Sequence, residues 1–150
     1  MTTHADVIAA ARTWIGTPYR HQASLKGVGC DCIGLVGGVG VELGLPEAIA
    51  WANDGTLKGY SRSPDPEVLL TGCRRYLDMI EIAAARPGDI IVMRFERDPQ
   101  HFAIISDPAR IIHAYAVARK VCETGIDGRW RWGQCWRSMI TSAWRFRAVY

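Results

Sequence analysis

Asp31-Cys32-Ile33-Gly34-Leu35-Val36-Gly37-Gly38-Val39-Gly40-Val41-Glu42-Leu43-Gly44 is the stretch on which the reading of this 150-residue chain turns. Asp31 is a good helix N-cap, because its carboxylate can accept from backbone N–H groups that the first turn leaves unpaired. The nearly apolar run from Ile33 to Leu43 continues a helix that Gly44 and Pro46 close. Four glycines inside it each cost up to ~1 kcal/mol against alanine. They make sense if the helix is buried and another element packs closely on it. Cys32 falls in the first turn, where free N–H groups and the helix dipole favour a thiolate and could hold a developing oxyanion. A thiol nucleophile needs such a setting, since an ordinary cysteine titrates near ~8.5. Taken alone, Cys32 reads more readily as a small buried hydrophobe, as most free cysteines are. Cys30 competes for the role but precedes the cap, in the loop after Gly27-Val28-Gly29.

On the N-terminal side, Thr3 and Asp6 form a short-armed capping box. Val7, Ile8, Ala11, Trp14 and Ile15 recur at helical spacing until Gly16-Thr17-Pro18 ends the helix. Residues 46–64 read as a long irregular segment rich in Gly, Pro, Ser, Asn and Asp. Asp65-Pro66-Glu67 then opens a third helix running to about Leu77. Beyond it lie short apolar runs at Met79–Ile82, Ile90–Phe95, Phe102–Ile105, Ile111–Tyr115 and Lys120–Glu123, with a last candidate at Trp144–Tyr150. Turn signals such as Pro87-Gly88-Asp89 and Asp107-Pro108 separate most of them. Helices first and hairpin-linked strands afterwards predict one α+β domain over 1–150.

Of four histidines, His4 is expected exposed in the first helical turn and His21 lies in a loop. His101 and His113 flank a hairpin, each six residues from Asp107. If the hairpin is centred there, the two are direct cross-strand neighbours with Cβ atoms ~5 Å apart. One imidazole could then take the thiol proton while the other orients it. A metal site or a hydrogen-bonded core pair would use the same residues.

The composition excludes several other classes. The net charge of +3 is modest, and no apolar run reaches the ~18 residues of a membrane span. Met1 to Asp6 lacks the basic-then-apolar pattern of a secretory signal, so synthesis in the cytoplasm with reduced thiols is expected. The five cysteines include only one close pair, Cys30-Asp31-Cys32, whose single intervening residue does not suit structural zinc. Residues 129–150 interleave arginines with Trp130, Trp132, Trp136 and Trp144, as a protein-docking face or a partly buried segment would. Few lysines and no recognisable nucleic-acid-binding fold argue against a nucleic-acid surface.

Five blocks together carry a resemblance: Gly16-Thr17-Pro18-Tyr19, Asp31-Cys32-Ile33-Gly34-Leu35-Val36, Arg86-Pro87-Gly88-Asp89-Ile90-Ile91, His101-Phe102-Ala103-Ile104-Ile105 and Ile112-His113-Ala114. Over about residues 5–123 the chain resembles the NlpC-type cell-wall cysteine peptidases, a bacterial branch of the papain-like fold. It looks closest to the short form found with phage tails and gene-transfer-agent particles. The resemblance implies N-terminal helices packed on an antiparallel sheet of about five to six strands. It implies a Cys32–His101–His113 triad, with Tyr19 near the oxyanion or substrate and no metal or cofactor. It also implies cleavage of peptidoglycan stem peptides. Delivery would be by a tail tip acting at the periplasm and cell wall, with residues 129–150 docking on a tail or hub protein. The family commonly carries Ser after the nucleophile, where this chain has Ile33, so Asp31 alone remains to recognise a substrate amine. A structural tail-tip module of the same fold, or a thiol amidase or acyltransferase, would share these residues.

Overall fold

The computed structural model describes residues 1–61, 65–95, 98–130 and 133–150. Helix α1 (His4–Thr13) opens on the Thr3–Asp6 capping box: Asp6 N–H donates to Thr3 Oγ1 at 3.2 Å, and Thr3 N–H to Asp6 Oδ2 at 2.8 Å. A two-stranded ribbon, β1 (Ser24–Leu25) and β2 (Gly29–Cys30), leads into helix α2 (Cys32–Glu42). Helices α3 (Pro46–Ala52) and α4 (Pro66–Tyr76) follow, the latter capped by Asp65.

The sheet comprises β3 (Leu77–Ile80), β4 (Ile90–Phe95), β5 (Asp98–Asp107), β6 (Arg110–Tyr115), β7 (Lys120–Gly125) and β10 (Ile140–Phe146). A small ribbon, β8 (Arg129–Trp130) with β9 (Gln134–Cys135), lies between β7 and β10 in the chain. The six strands run in the order β3-β10-β4-β5-β6-β7, with every neighbouring pair antiparallel. The α+β expectation of helices on about six antiparallel strands therefore holds.

Strand alternation divides the core. Ile90, Val92, Phe102, Ile104 and Ile112 pack with the helices, whereas Ile91, Met93, Ala103, Ile105 and Ile111 pack with Ile126, Trp136 and Met139. Helix α2 is the buried centre of the helical layer. A Cβ on Gly38 would sit 2.2 Å from the Trp14 ring and one on Gly40 2.4 Å from Ala48 Cβ. A Cβ on Gly34 would sit 1.9 Å from the Ala23 carbonyl oxygen. Three of the four glycines thus allow close approach. Gly37 does not, because nothing lies within 4 Å of its would-be Cβ. Gly37→Ala should therefore gain helix propensity without a clash and raise stability by about 1 kcal/mol. Gly34→Ala should lower it, and paired thermal melts check both.

Several sequence expectations need correction. Residues 46–64 are not irregular throughout: α3 occupies Pro46–Ala52 and a 3₁₀ turn occupies Gly55–Leu57. Pro46, expected only as a helix stop, sits in the first turn of α3, where its missing N–H costs nothing. Residues 62–64 lie outside the described residues. The strand expected at Met79–Ile82 forms two residues earlier, because α4 ends at Tyr76 and the chain extends at once. The last strand starts at Ile140 and ends at Phe146, four residues ahead of expectation at each end. Nor is His4 exposed: its side chain is 13% accessible and its Nε2 lies 3.1 Å from Asp89 Oδ1.

The C-terminal segment is woven into this fold. Trp136 and Trp144 are buried, and Arg137, Arg145 and Arg147 pair with Asp127, Asp89 and Asp78. Arg131 and Trp132 lie outside the described residues. Strand β10 lies between β3 and β4, so residues 129–150 are no removable appendage. Among the described residues, no helix is long and apolar enough to cross a membrane.

Candidate active site

Asp31 explains why α2 begins where it does. Its backbone is extended (φ −99°, ψ −172°) and its Oδ1 accepts from Gly34 N–H at 2.7 Å. Its Oδ2 accepts from Gln22 N–H at 2.7 Å and from the Tyr60 hydroxyl at 2.5 Å. The carboxylate is thus engaged by three donors of its own chain while almost fully buried. Tyr60, within the segment read as irregular, was missed from sequence; a lone aromatic among polar residues offers no periodic signal.

One residue on, Cys32 sits in the first turn with 8% of its surface accessible. The β5–β6 register begins at Ile104↔Ile112, so the earlier residues of β5 are not paired in register with β6. Cys32 Sγ packs against that stretch, 3.9 Å from the Gln100 carbonyl oxygen and within reach of the Phe102 N–H. The thiol therefore meets the strand on both sides of His101. Its hydrogen bond goes to the carbonyl of Gln100, not to an imidazole nitrogen. Burial, then the charge of Asp31, pushes the thiol up to about 12, against the opposing pull of the Phe102, Ile33 and Cys32 N–H groups. It is a neutral thiol at rest.

His101 and His113 are joined by a hydrogen bond of 2.8 Å between Nε2 of the first and Nδ1 of the second. They are not direct cross-strand partners. The register Ile104↔Ile112 and Ile105↔Ile111 centres the hairpin on residue 108 rather than 107. A bulge between Ile105 and Asp107 and a turn at Pro108-Ala109 cause the difference. Moving the centre by one residue changes every partner by two, which keeps His113 on the face of His101. A slip by one on a single strand would have separated them.

Aromatic rings enclose the pair. Tyr115 stacks on His113 at 5.3 Å, Phe95 lies 5.3 Å from His101, and Trp136 approaches the two imidazoles at 5.5 and 5.1 Å. Trp136, in the segment expected to be a docking face or partly buried, is buried and walls this site. Burial lowers His113 to about 4, and burial followed by the neighbouring His113 lowers His101 well below its ordinary value. Both rings are neutral at pH 7.

This has a consequence for stability. A histidine depressed in the fold leaves the unfolded chain binding more protons between the folded and unfolded values. Stability should therefore fall as pH drops from about 6.5 toward about 4, with His113 alone contributing about 3 kcal/mol. Denaturant unfolding at several pH values should show a shallower acid loss in His113→Gln than in wild type.

Tyr19 is held by a different device. Gly16, at φ +90°, turns the chain out of α1, and residues 16–19 then run beside β7. Gly16 N–H donates to Val121 O at 2.9 Å and Tyr19 N–H to Arg119 O at 2.8 Å. Tyr19 bridges Cys30, is half-buried, and packs against the core that contains Cys32. The nearby Tyr60 phenol is raised first by burial and then by Asp31.

A groove of about 640 Å³ runs along α2, lined by Ile33, Gly37, Val41, Trp51, Leu57 and Tyr60 among others; Cys32, His101, His113 and Tyr19 do not line it, although their neighbours Ile33 and Phe102 do. Among the described residues, no group of three or more His, Cys, Asp or Glu side chains could hold a metal ion. All five cysteines are free.

Solved structures share this arrangement of elements. The NlpC/p60 domain of the peptidoglycan hydrolase SagA aligns over 97% of this chain and 100% of its own, with TM-score 0.64 and 19% identity. The chain has the NlpC/p60 fold. An NlpC/p60 family protein from Bacillus cereus aligns over 96% of this chain but 40% of its own, with TM-score 0.67 and 17% identity. The p60 domain of an antigen from M. avium subspecies paratuberculosis aligns over 98% and 96%, with TM-score 0.58 and 19% identity. The chain therefore spans a whole isolated NlpC/p60 domain and about two fifths of the larger Bacillus protein. No family model and no curated protein matches it.

Proposed function

We propose that this protein is a thiol endopeptidase that cuts the stem peptides of peptidoglycan, and that a phage-like tail or gene-transfer-agent particle carries it to the cell wall. One observation carries the catalytic part: a helix-start thiol packs against residues 100–102 while the imidazole of residue 101 is hydrogen-bonded to a second imidazole at 2.8 Å.

In the proposed reaction, substrate binding displaces the thiol from the Gln100 carbonyl. His101, whose Nε2 is committed to His113, receives the thiol proton at Nδ1. The sulfur attacks the amide carbonyl, and N–H groups at the start of α2 hold the oxyanion. Collapse of the tetrahedral adduct breaks the C–N bond, and the His101 proton goes to the leaving amine. Water, deprotonated by the same imidazole, then cleaves the thioester and regenerates the thiol. Tyr19 borders the acyl site, Asp31 and Tyr60 fix the helix start, and the groove beside Ile33 takes the peptide. Peptidoglycan as substrate draws support from the SagA domain, named as part of a peptidoglycan hydrolase, and from the five sequence blocks above.

Digestion of defined muropeptides, read by mass spectrometry, tests the reaction. New peptide termini are expected. Peptide released from sugar would indicate an amidase, and a transferred acyl group an acyltransferase. Carriage is tested separately by sedimentation: the chain should travel with intact tail particles, and recovery only in the soluble fraction rejects it. The buried neutral thiol favours one other reading, a structural tail-tip module of the same fold. Absence of any product from wild type between pH 5 and 9 would establish that reading instead.

A further inference from the structure

Beyond the two histidines the hydrogen-bond chain continues. His113 Nε2 lies 3.0 Å from the Oγ1 of Thr124, a half-buried side chain on β7. The register explains the contact. Thr124 stands opposite Ile111 and Cys122 opposite His113, so the threonine is the diagonal neighbour on the same sheet face. No expectation from sequence singled out Thr124, which lies just past the last residue of the region that carried the resemblance.

We infer that Thr124 is a positioning residue that sets the tautomer of His113 and through it the basicity of His101. The inference rests on the proposed role of His101 as base. Between His101 Nε2 and His113 Nδ1 there is one hydrogen, and it can belong to either ring. If it belongs to His113, the neutral His101 must carry its own proton on Nδ1 and cannot accept one there. If it belongs to His101, Nδ1 of that ring is free to take the thiol proton. His113 must then keep its proton on Nε2, where the Thr124 oxygen accepts it.

The same polarity is the only one compatible with protonated His101, which has a proton on both nitrogens. Formation of imidazolium therefore draws on every bond in the series: His101 Nε2–H to His113 Nδ1, and His113 Nε2–H to Thr124 Oγ1. Tyr115 and Trp136 hold the His113 ring against rotation, so the choice left to it is tautomeric. In Thr124→Val the Nε2–H loses its acceptor in a buried setting, and the proton moves to Nδ1.

Three measurements decide the matter. Thr124→Val should lower kcat by about 10- to 100-fold with little change in KM, and Thr124→Ser should restore it. Ring ¹⁵N NMR of wild type should show His113 protonated at Nε2 and bare at Nδ1, with the pattern reversed in Thr124→Val. Unchanged kcat in the valine variant, failure of serine to rescue, or an unaltered His113 tautomer overturns the inference. Wild-type spectra with the proton on Nδ1 do so even if the valine variant does not fold. The NMR readout needs no turnover, so an active Cys32→Ala protein would defeat the nucleophile assignment while the spectra still judge Thr124.

Discussion

Replacing Cys32 by alanine should abolish muropeptide hydrolysis, a loss on the order of 10⁴-fold or more, whereas Cys30→Ala should keep turnover within a few-fold of wild type. The two thiols are two residues apart, and both are pushed up to about 12, chiefly by burial. Their surroundings separate them. Cys30 is in β2, with its N–H donating to Pro18 O at 3.0 Å and its carbonyl accepting from Arg20 N–H at 3.0 Å. It has no place in the first turn of a helix. Cys32 has the N–H groups of its own residue, of Ile33 and of Phe102 directed at its sulfur. In the proposed reaction those groups would stabilise the thiolate once substrate and base draw the proton away. His101→Ala should cost about as much, and the double variant no more than either single, if thiol and base act in one step as proposed. Equal activity in the Cys30 and Cys32 variants would move the nucleophile elsewhere.

How far the sequence could be read depends on whether local chemistry or tertiary packing decided each element. The starts of α1, α2 and α4 follow from Thr3, Asp31 and Asp65, whose side chains accept the predicted backbone hydrogen bonds. Strands β4 and β6 follow from apolar runs bounded by turns. Helix α3 escaped because Leu45, its N-cap, makes no side-chain hydrogen bond there. What holds it is packing: Leu45 and Ala48 are in the core, and Ala48 meets the bare backbone of Gly40. No local pattern announces that contact.

The site divides in the same way. The likeness of faces between His101 and His113 was legible from period two, even though the register was two residues out. Their aromatic enclosure was not, because Phe95, Tyr115 and Trp136 come from separate parts of the chain and meet only through the sheet. Nor was the neutrality of the thiol. A helix start argues for a thiolate, but burial and the adjacent carboxylate win in the resting fold. A sequence reveals the dipole and conceals the desolvation.

Asp89→Ala should destabilise the fold by about 3–5 kcal/mol, the largest loss expected from any single change remote from the thiol. In the block Arg86-Pro87-Gly88-Asp89, the carboxylate is completely buried and receives a bidentate pair from Arg145, at 2.7 Å to each oxygen. The Arg86 N–H donates to it at 2.9 Å, and His4 Nε2 lies at 3.1 Å. One side chain therefore ties the start of α1, the turn before β4 and strand β10. Removing it leaves the Arg145 guanidinium, whose side chain is only 26% accessible, without its counter-charge. Such an uncompensated charge costs far more than an exposed ion pair contributes. Asp89→Asn should recover little, since an amide cannot receive both guanidinium N–H groups as a carboxylate does. Removing both charges in Asp89→Ala/Arg145→Met should recover part of the loss, because the desolvation penalty goes with the ions. Urea unfolding of the three variants at pH 7 measures this directly. A loss below about 1 kcal/mol in Asp89→Ala would mean that the turn is held by its backbone bonds to Ile105 alone.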